Sequence, residues 1–234
     1  MIDIYIFTVN NELIDIAEQM SSLLPKDIEK KIKSIKISKR KSIKIITKIL
    51  LWKILVINGF DETIIQNIFS LNNHKPFINY PFYFNLSHSE DKIVITTSKH
   101  QKVGIDIEFN RYSNISIKDY SPLIKFNEYM KYLPFYDAWV VIESILKTIG
   151  TGFSKSITDV FILEIRNNKI LSKINGKLFF SHLMPLEKYS LCLTSNTPIK
   201  KICFYNLQLK LCEKAKISKK IISLDDLIIN KMSR

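Results

Sequence analysis

The apolar residues of this chain change period along its length, and the order of those changes restricts the fold more than any other feature. Ile2, Ile4 and Ile6 alternate with polar or smaller residues as in an opening strand, and Glu12 to about Met20 reads as a helix. From Lys39 to Ile57 the spacing is again helical, with Asn58-Gly59 as a stop. The period then shortens. Strand-like runs lie around Phe69, Phe82 to Leu86, Lys92 to Thr97 and Val103 to Glu108, punctuated by Asn, His, Pro and Ser. Helical runs return at roughly Asp119 to Tyr132 and Phe135 to Ile149. Strands follow around Val160 to Arg166, Lys177 to Ser181, Tyr189 to Thr194 and Lys201 to Leu209. Helix then strands, twice over, predicts an α+β protein of two similar halves, without a residue-level repeat. The polar stretch Asn110 to Ser116 divides them, giving an N-terminal half of residues 1–109 and a C-terminal half of 110–234.

A chain of 234 residues buries a core without metal or disulfide staples. Cys192, Cys203 and Cys212 are odd in number and lack metal-ligand spacing, so a reduced, cytoplasmic setting is expected. Met1 to Asn10 carries Asp3 and no basic cluster, unlike a secretory signal. The longest apolar segment, Ile43 to Phe60, is broken by Lys44, Lys48 and Lys53, which are costly inside a bilayer. The expectation is no membrane association. The net charge of +13 suits an acidic partner, an anionic surface or nucleic acid, and also follows from a general richness in Lys. No paired zinc ligands or RNP-like aromatic strand accompany it, so a nucleic-acid function is not expected.

The chemistry concentrates in a few segments. If Val103-Gly104-Ile105-Asp106-Ile107-Glu108 is a strand, Asp106 and Glu108 share one face, about 6–7 Å apart along it, and the isoleucines face away. Such a pair is half of a hard-cation site, or simply the polar face of a half-exposed strand. Helical spacing places Trp139, Glu143 and Lys147 on one face, either as site residues or as a surface ion pair. Upstream, Lys75-Pro76 and Phe84-Asn85-Leu86-Ser87-His88-Ser89 offer a cation and hydrogen-bond donors for phosphate. The basic stretch holding Lys39, Arg40, Lys41, Lys44 and Lys48 offers further cations, or a solvated helix face.

In this order, Lys75-Pro76-Phe77, the Phe84 to Ser89 segment, Val103 to Glu108, Trp139-x-x-x-Glu143-Ser144-x-x-Lys147 and Gly150-Thr151-Gly152-Phe153-Ser154 resemble the surfactin-synthetase-activating type of 4′-phosphopantetheinyl transferase. The motifs span residues 75–154, and the basic helix before them and the Tyr189 to Thr194 strand extend the likeness. The resemblance implies a pseudo-twofold α+β fold with coenzyme A in the cleft between halves. It implies Mg²⁺ on Asp106, Glu108 and Glu143. Coenzyme A would be held by Arg40, Lys48, Lys75, Pro76, Ser87, His88 and Lys147, with Arg40 and Lys48 toward its ribose 3′-phosphate. Glu143 and Lys147 would be catalytic, as proton acceptor and as partner of the leaving phosphate. The implied partner is an acyl or peptidyl carrier protein of fatty-acid or secondary-metabolite synthesis, served by a monomer.

Three departures stand out, one being a segment between the two acidic motifs shorter than in many relatives, which bears on the carrier-protein docking surface. The family's usual lysine before the second-motif glutamate is Ile142 here, and the usual glycine before Lys-Pro is His74. The missing lysine predicts an active enzyme with weakened coenzyme A use, improved by Ile142→Lys unless Ile142 is packed. Other Mg-dependent phosphoryl transferases are the nearest alternative, but no P-loop or kinase glycine loop occurs. A relative that only binds coenzyme A or a carrier would have little use for three such carboxylates.

Overall fold

A computed structural model describes residues 1–24, 26, 29–30, 39–61, 63–65, 81–111, 133–150, 160–209 and 227–232. The alternating isoleucines form β1 (Ile2–Thr8), with Ile2 and Ile4 fully buried. Asn10 then caps α1 (Asn11–Met20), its Oδ1 accepting the Leu13 N–H at 2.9 Å and satisfying one of the helix's orphan donors. The second helix, α2 (Lys39–Ile57), ends where expected, with Gly59 at φ +88° just beyond it. Three strands follow: β2 (Tyr83–Ser89), β3 (Lys92–Ser98) and β4 (Val103–Phe109). Then comes α3 (Phe135–Ile149), closed by Gly150 at φ +87°, whose N–H bonds the Leu146 carbonyl. The remaining strands are β5 (Phe161–Arg166), β6 (Lys169–Ile174), β7 (Lys177–Leu186), β8 (Tyr189–Ser195), β9 (Ile202–Leu209) and β10 (Leu227–Met232).

The strands form two five-stranded sheets, ordered β10-β9-β1-β3-β2 and β4-β8-β7-β6-β5. The architecture is α+β, as the sequence predicts. The helix at Asp119 to Tyr132 and the strand near Phe69 fall outside the described residues. Two strands were not expected: β10, read only as a short apolar run near Leu227 in a basic tail, and β6. The signals of β6 are the turns on either side: Asn167-Asn168 and Asn175-Gly176 all adopt positive φ, as two-residue hairpin turns require.

The chain divides into two compact units, one of Met1–Ile6 and Asn79–Phe204, the other of Phe7–Ile78 and Tyr205–Met232. In the second, α2 buries Ile45, Ile46, Ile49, Leu50, Ile54 and Leu55 almost completely. It meets α1 through Lys41, whose ammonium sits 2.6 Å from Glu18 Oε1, and Ser42, which donates to the Ile14 carbonyl at 3.2 Å. In the first unit, one face of α3 packs Ala138, Val141, Ile142 and Ile145 against Ile162, Ile170, Phe179 and Leu183 of the second sheet. Each fully buried aliphatic side chain there contributes roughly 1.5–3 kcal/mol. Cys192 and Cys203 are free and buried, and burial pushes the Cys192 thiol up to about 12, leaving it an inert apolar group. Among the described residues no helix is long and apolar enough to cross a membrane.

Candidate active site

The site is assembled by an unusually close approach of helix to strand, all within the first unit. A Cβ on Gly104 would lie 2.1 Å from the Ser144 carbonyl oxygen and 2.5 Å from the Thr148 amide nitrogen. Only glycine therefore lets the backbone of α3 rest on β4 here. The helix is fastened there by Ser144 Oγ, 2.7 Å from Thr194 Oγ1, and by Thr148 Oγ1, which donates to the Thr194 carbonyl at 3.3 Å. Gly104, Asp106 and Glu108 face the helix, while Ile105 and Ile107 are fully buried in the cluster on the opposite side. The one-face arrangement read from the strand period is the one observed.

On the other flank of β4 lies β2, which belongs to the other sheet. Its alternate side chains replace a backbone ladder. Asn85 Oδ1 accepts the Ile105 N–H at 3.5 Å, and Ser89 Oγ accepts the Phe109 N–H at 3.0 Å. Between them Ser87 Oγ donates to Asp106 Oδ1 at 2.7 Å, and Ser89 Oγ donates to Glu108 Oε2 at 2.9 Å. Asn85 Nδ2 also reaches the Lys147 carbonyl at 3.4 Å, tying β2 to α3. Ser89 and Asn85 were not singled out as site residues by sequence reasoning. The period-two spacing of 85, 87 and 89 was the signal that could have grouped them.

Trp139, Glu143 and Lys147 project from α3 into a cavity of about 330 Å³ that Leu86, Ser87, His88, Asp106 and Glu108 also line. Lys147 Nζ donates to Asp106 Oδ1 at 2.5 Å and to Ser87 Oγ at 2.9 Å, joining all three elements at one point. Three carboxylates against one ammonium leave the cavity short of positive charge. Burial, then the charges of Asp106 and Glu108 working against Lys147, raise the Glu143 carboxyl to about 7. Burial raises Glu108 as well, opposed by its bond from Ser89. Two buried carboxylate oxygens, Asp106 Oδ2 and Glu143 Oε1, have no hydrogen-bond partner. A divalent cation fits that deficit, since Mg²⁺ commonly takes one or two protein carboxylates and completes its shell with water and phosphate oxygens. The three-carboxylate set is not preassembled, however: among the described residues no three His, Cys, Asp or Glu side chains are grouped to hold a metal ion. The Lys147 ammonium stands on Asp106 instead.

The other candidates are placed as follows. Ser87 is buried and His88 exposed at the cavity rim. Arg40, exposed, and Lys48, half-buried, lie on α2 in the second unit. Lys75 and Pro76 lie outside the described residues. Ile142 is 3% exposed and belongs to the core under α3, not to the cavity wall. Its departure from the family pattern is therefore a packing feature, and the expected gain from a lysine at this position gives way to a burial cost.

Comparison with known proteins finds one relevant similarity. Over 134 residues the chain is 34% identical to the 4′-phosphopantetheinyl transferase gsp of Aneurinibacillus migulanus, a match covering 53% of this chain and 54% of that protein. The chain thus spans about half the length of the curated relative it matches. No family model matches it.

Proposed function

We propose that this chain is a 4′-phosphopantetheinyl transferase that moves the phosphopantetheine arm of coenzyme A onto a serine of an acyl or peptidyl carrier protein. The observation that carries the reading is the pair of partnerless buried carboxylate oxygens beside the Lys147–Asp106–Ser87 cluster. A cavity so rich in buried carboxylate calls for a cation, and a diphosphate substrate arrives with one. Asp106 and Glu143, with Glu108 beside them, would hold Mg²⁺, which when bound supplies charge neutralisation for the diphosphate.

The chain's own residues supply the rest. Glu143, in the cavity beside Lys147, accepts the proton of the attacking serine hydroxyl. The serine oxygen forms a bond to the β-phosphorus as the bond to the bridging oxygen breaks, releasing adenosine 3′,5′-bisphosphate. Lys147 leaves Asp106 to meet the charge growing on that leaving group, and Ser87 and His88 donate to phosphate oxygens. Arg40, Lys48, Lys75 and Pro76 complete the coenzyme A contacts, and the halves 1–109 and 110–234 form a pseudo-twofold pair around the ligand. The protein acts as a cytoplasmic monomer without nucleic acid or membrane.

The test is a mass measurement on a panel of apo-carrier proteins incubated with coenzyme A and Mg²⁺. Wild type adds one phosphopantetheine, and Asp106→Ala adds none while keeping the fold, because the remaining carboxylates cannot restore the lost charge. No mass gain on any carrier, or undiminished transfer by a folded Asp106→Ala protein, refutes the assignment.

A further inference from the structure

The sheet β4-β8-β7-β6-β5 has two unlike faces. Along its whole width α3 or its neighbours bury one, through Ile162, Ile170, Phe179 and Leu183. Among the described residues the other is buried chiefly over β4 and β8, where Ile105, Ile107, Leu191 and Leu193 join Ile2, Ile4 and Val94, with Met184 and Leu186 of β7 packed at the edge of the cluster. Over β5, β6 and the start of β7 that face is more exposed among the described residues, with Phe161 and Leu178 standing 52% and 44% exposed.

Strand register arranges this more exposed region in rows. Arg166 is directly opposite Lys169, and Lys169 directly opposite His182; beside them Glu164, Leu171 and Phe180 form the next row. A cavity of about 530 Å³ opens over both rows, with Leu171, Phe180 and Ile199 as apolar walls and Arg166, Lys169 and His182 as a basic rim. Its volume falls in the range of about 300–1,000 Å³ usual for small-molecule pockets. The Asn167-Asn168 turn brings Arg166 and Lys169 face to face, although like charges directly opposite on neighbouring strands repel. Neither has an ion-pair partner among the described residues, and Glu164 pairs with neither. Burial, with the Lys169 charge, lowers the His182 pKa, so the positive charge of the rim rests on Arg166 and Lys169.

We propose that this cavity binds a small organic anion, a flat apolar body bearing a carboxylate or phosphate group. The anion sits between Arg166 and Lys169, where it converts their mutual repulsion into two charge-assisted hydrogen bonds. The apolar body lies on Leu171 and Phe180. The site shares no lining residue with the Asp106–Glu143 cavity and lies on the opposite face of the sheet, so it stands whether or not the transferase reading does.

The experiment titrates the full chain with anilinonaphthalene sulfonate, with and without coenzyme A, and displaces the dye with naphthoate, naphthyl phosphate or the uncharged naphthalene methanol. The dye is expected to bind in both conditions, and both anions to displace it at least about tenfold better than the alcohol. The stronger of the two anions assigns the group as carboxylate or phosphate. Arg166→Ala/Lys169→Ala, exposed substitutions checked by an unchanged melting temperature, weakens dye and anions by about tenfold or more. Unchanged affinity in that variant, displacement by the alcohol as good as by the anions, or loss of dye binding on adding coenzyme A overturns the proposal.

Discussion

Replacing Glu143 with glutamine tests the electrostatic strain of the site without relying on catalysis. An unfolded chain ionises this carboxyl at its ordinary value of 4.5, whereas the folded protein holds the proton to about 7. That difference corresponds to roughly 3 kcal/mol between protonation states, reduced to about 1–3 by screening at the cavity mouth. The sign follows from proton uptake. Between the two values the folded state binds more protons than the unfolded one, so this group lowers stability as pH rises and its full penalty is present above about 7. Glutamine keeps the shape and carries no charge. In metal-free buffer, Glu143→Gln should be more stable than wild type by about 1–3 kcal/mol near pH 8, a rise of several degrees in Tm for a chain of this size, and by much less near pH 5. Urea denaturation at the two pH values measures it. Added Mg²⁺ should stabilise wild type at the higher pH and Glu143→Gln much less, since the cation relieves the same repulsion. A variant no more stable than wild type at either pH would refute the reasoning, as would a gain of equal size at both.

Two further substitutions probe how the site is held. Gly104→Ala drives a methyl group into the Ser144 carbonyl, so it should destabilise the protein by about 1–3 kcal/mol or more and suppress transfer, seen by denaturation and the carrier mass assay together. Ile142→Lys places an ammonium in the core beneath α3 and should cost several kcal/mol without raising kcat/KM for coenzyme A; wild-type stability with faster transfer would restore the phosphate role read from the sequence.

Ile142 shows where linear reading reached its limit. Helical spacing put Trp139, Glu143 and Lys147 on one side of α3, where all three line the cavity, because 3.6-residue periodicity is local. Position 142 is about 100° round the helix from Glu143, and whether that direction meets solvent, ligand or core depends on what packs there. The answer, Phe179 and Leu183 among others, comes from strands more than thirty residues later in the chain. A similar distinction separates β4, which was read, from β6, which was not. β4 announces itself by alternation, whereas β6, which buries Ile170, Ser172 and Ile174 on one face and carries lysines on the other, is visible chiefly through its turns.

The stitching between β2 and β4 was invisible for a related reason. These strands lie in different sheets, and their union depends on serine and asparagine side chains doing what backbone amides ordinarily do. That substitution has a chemical consequence. The side-chain zipper holds them together while keeping Ser87 and Ser89 in hydrogen-bonding contact with the two acidic residues. Ser87 therefore has two tasks, fixing Asp106 and receiving Lys147, so the polar pairing of the two strands and the organisation of the charged cavity are one structure.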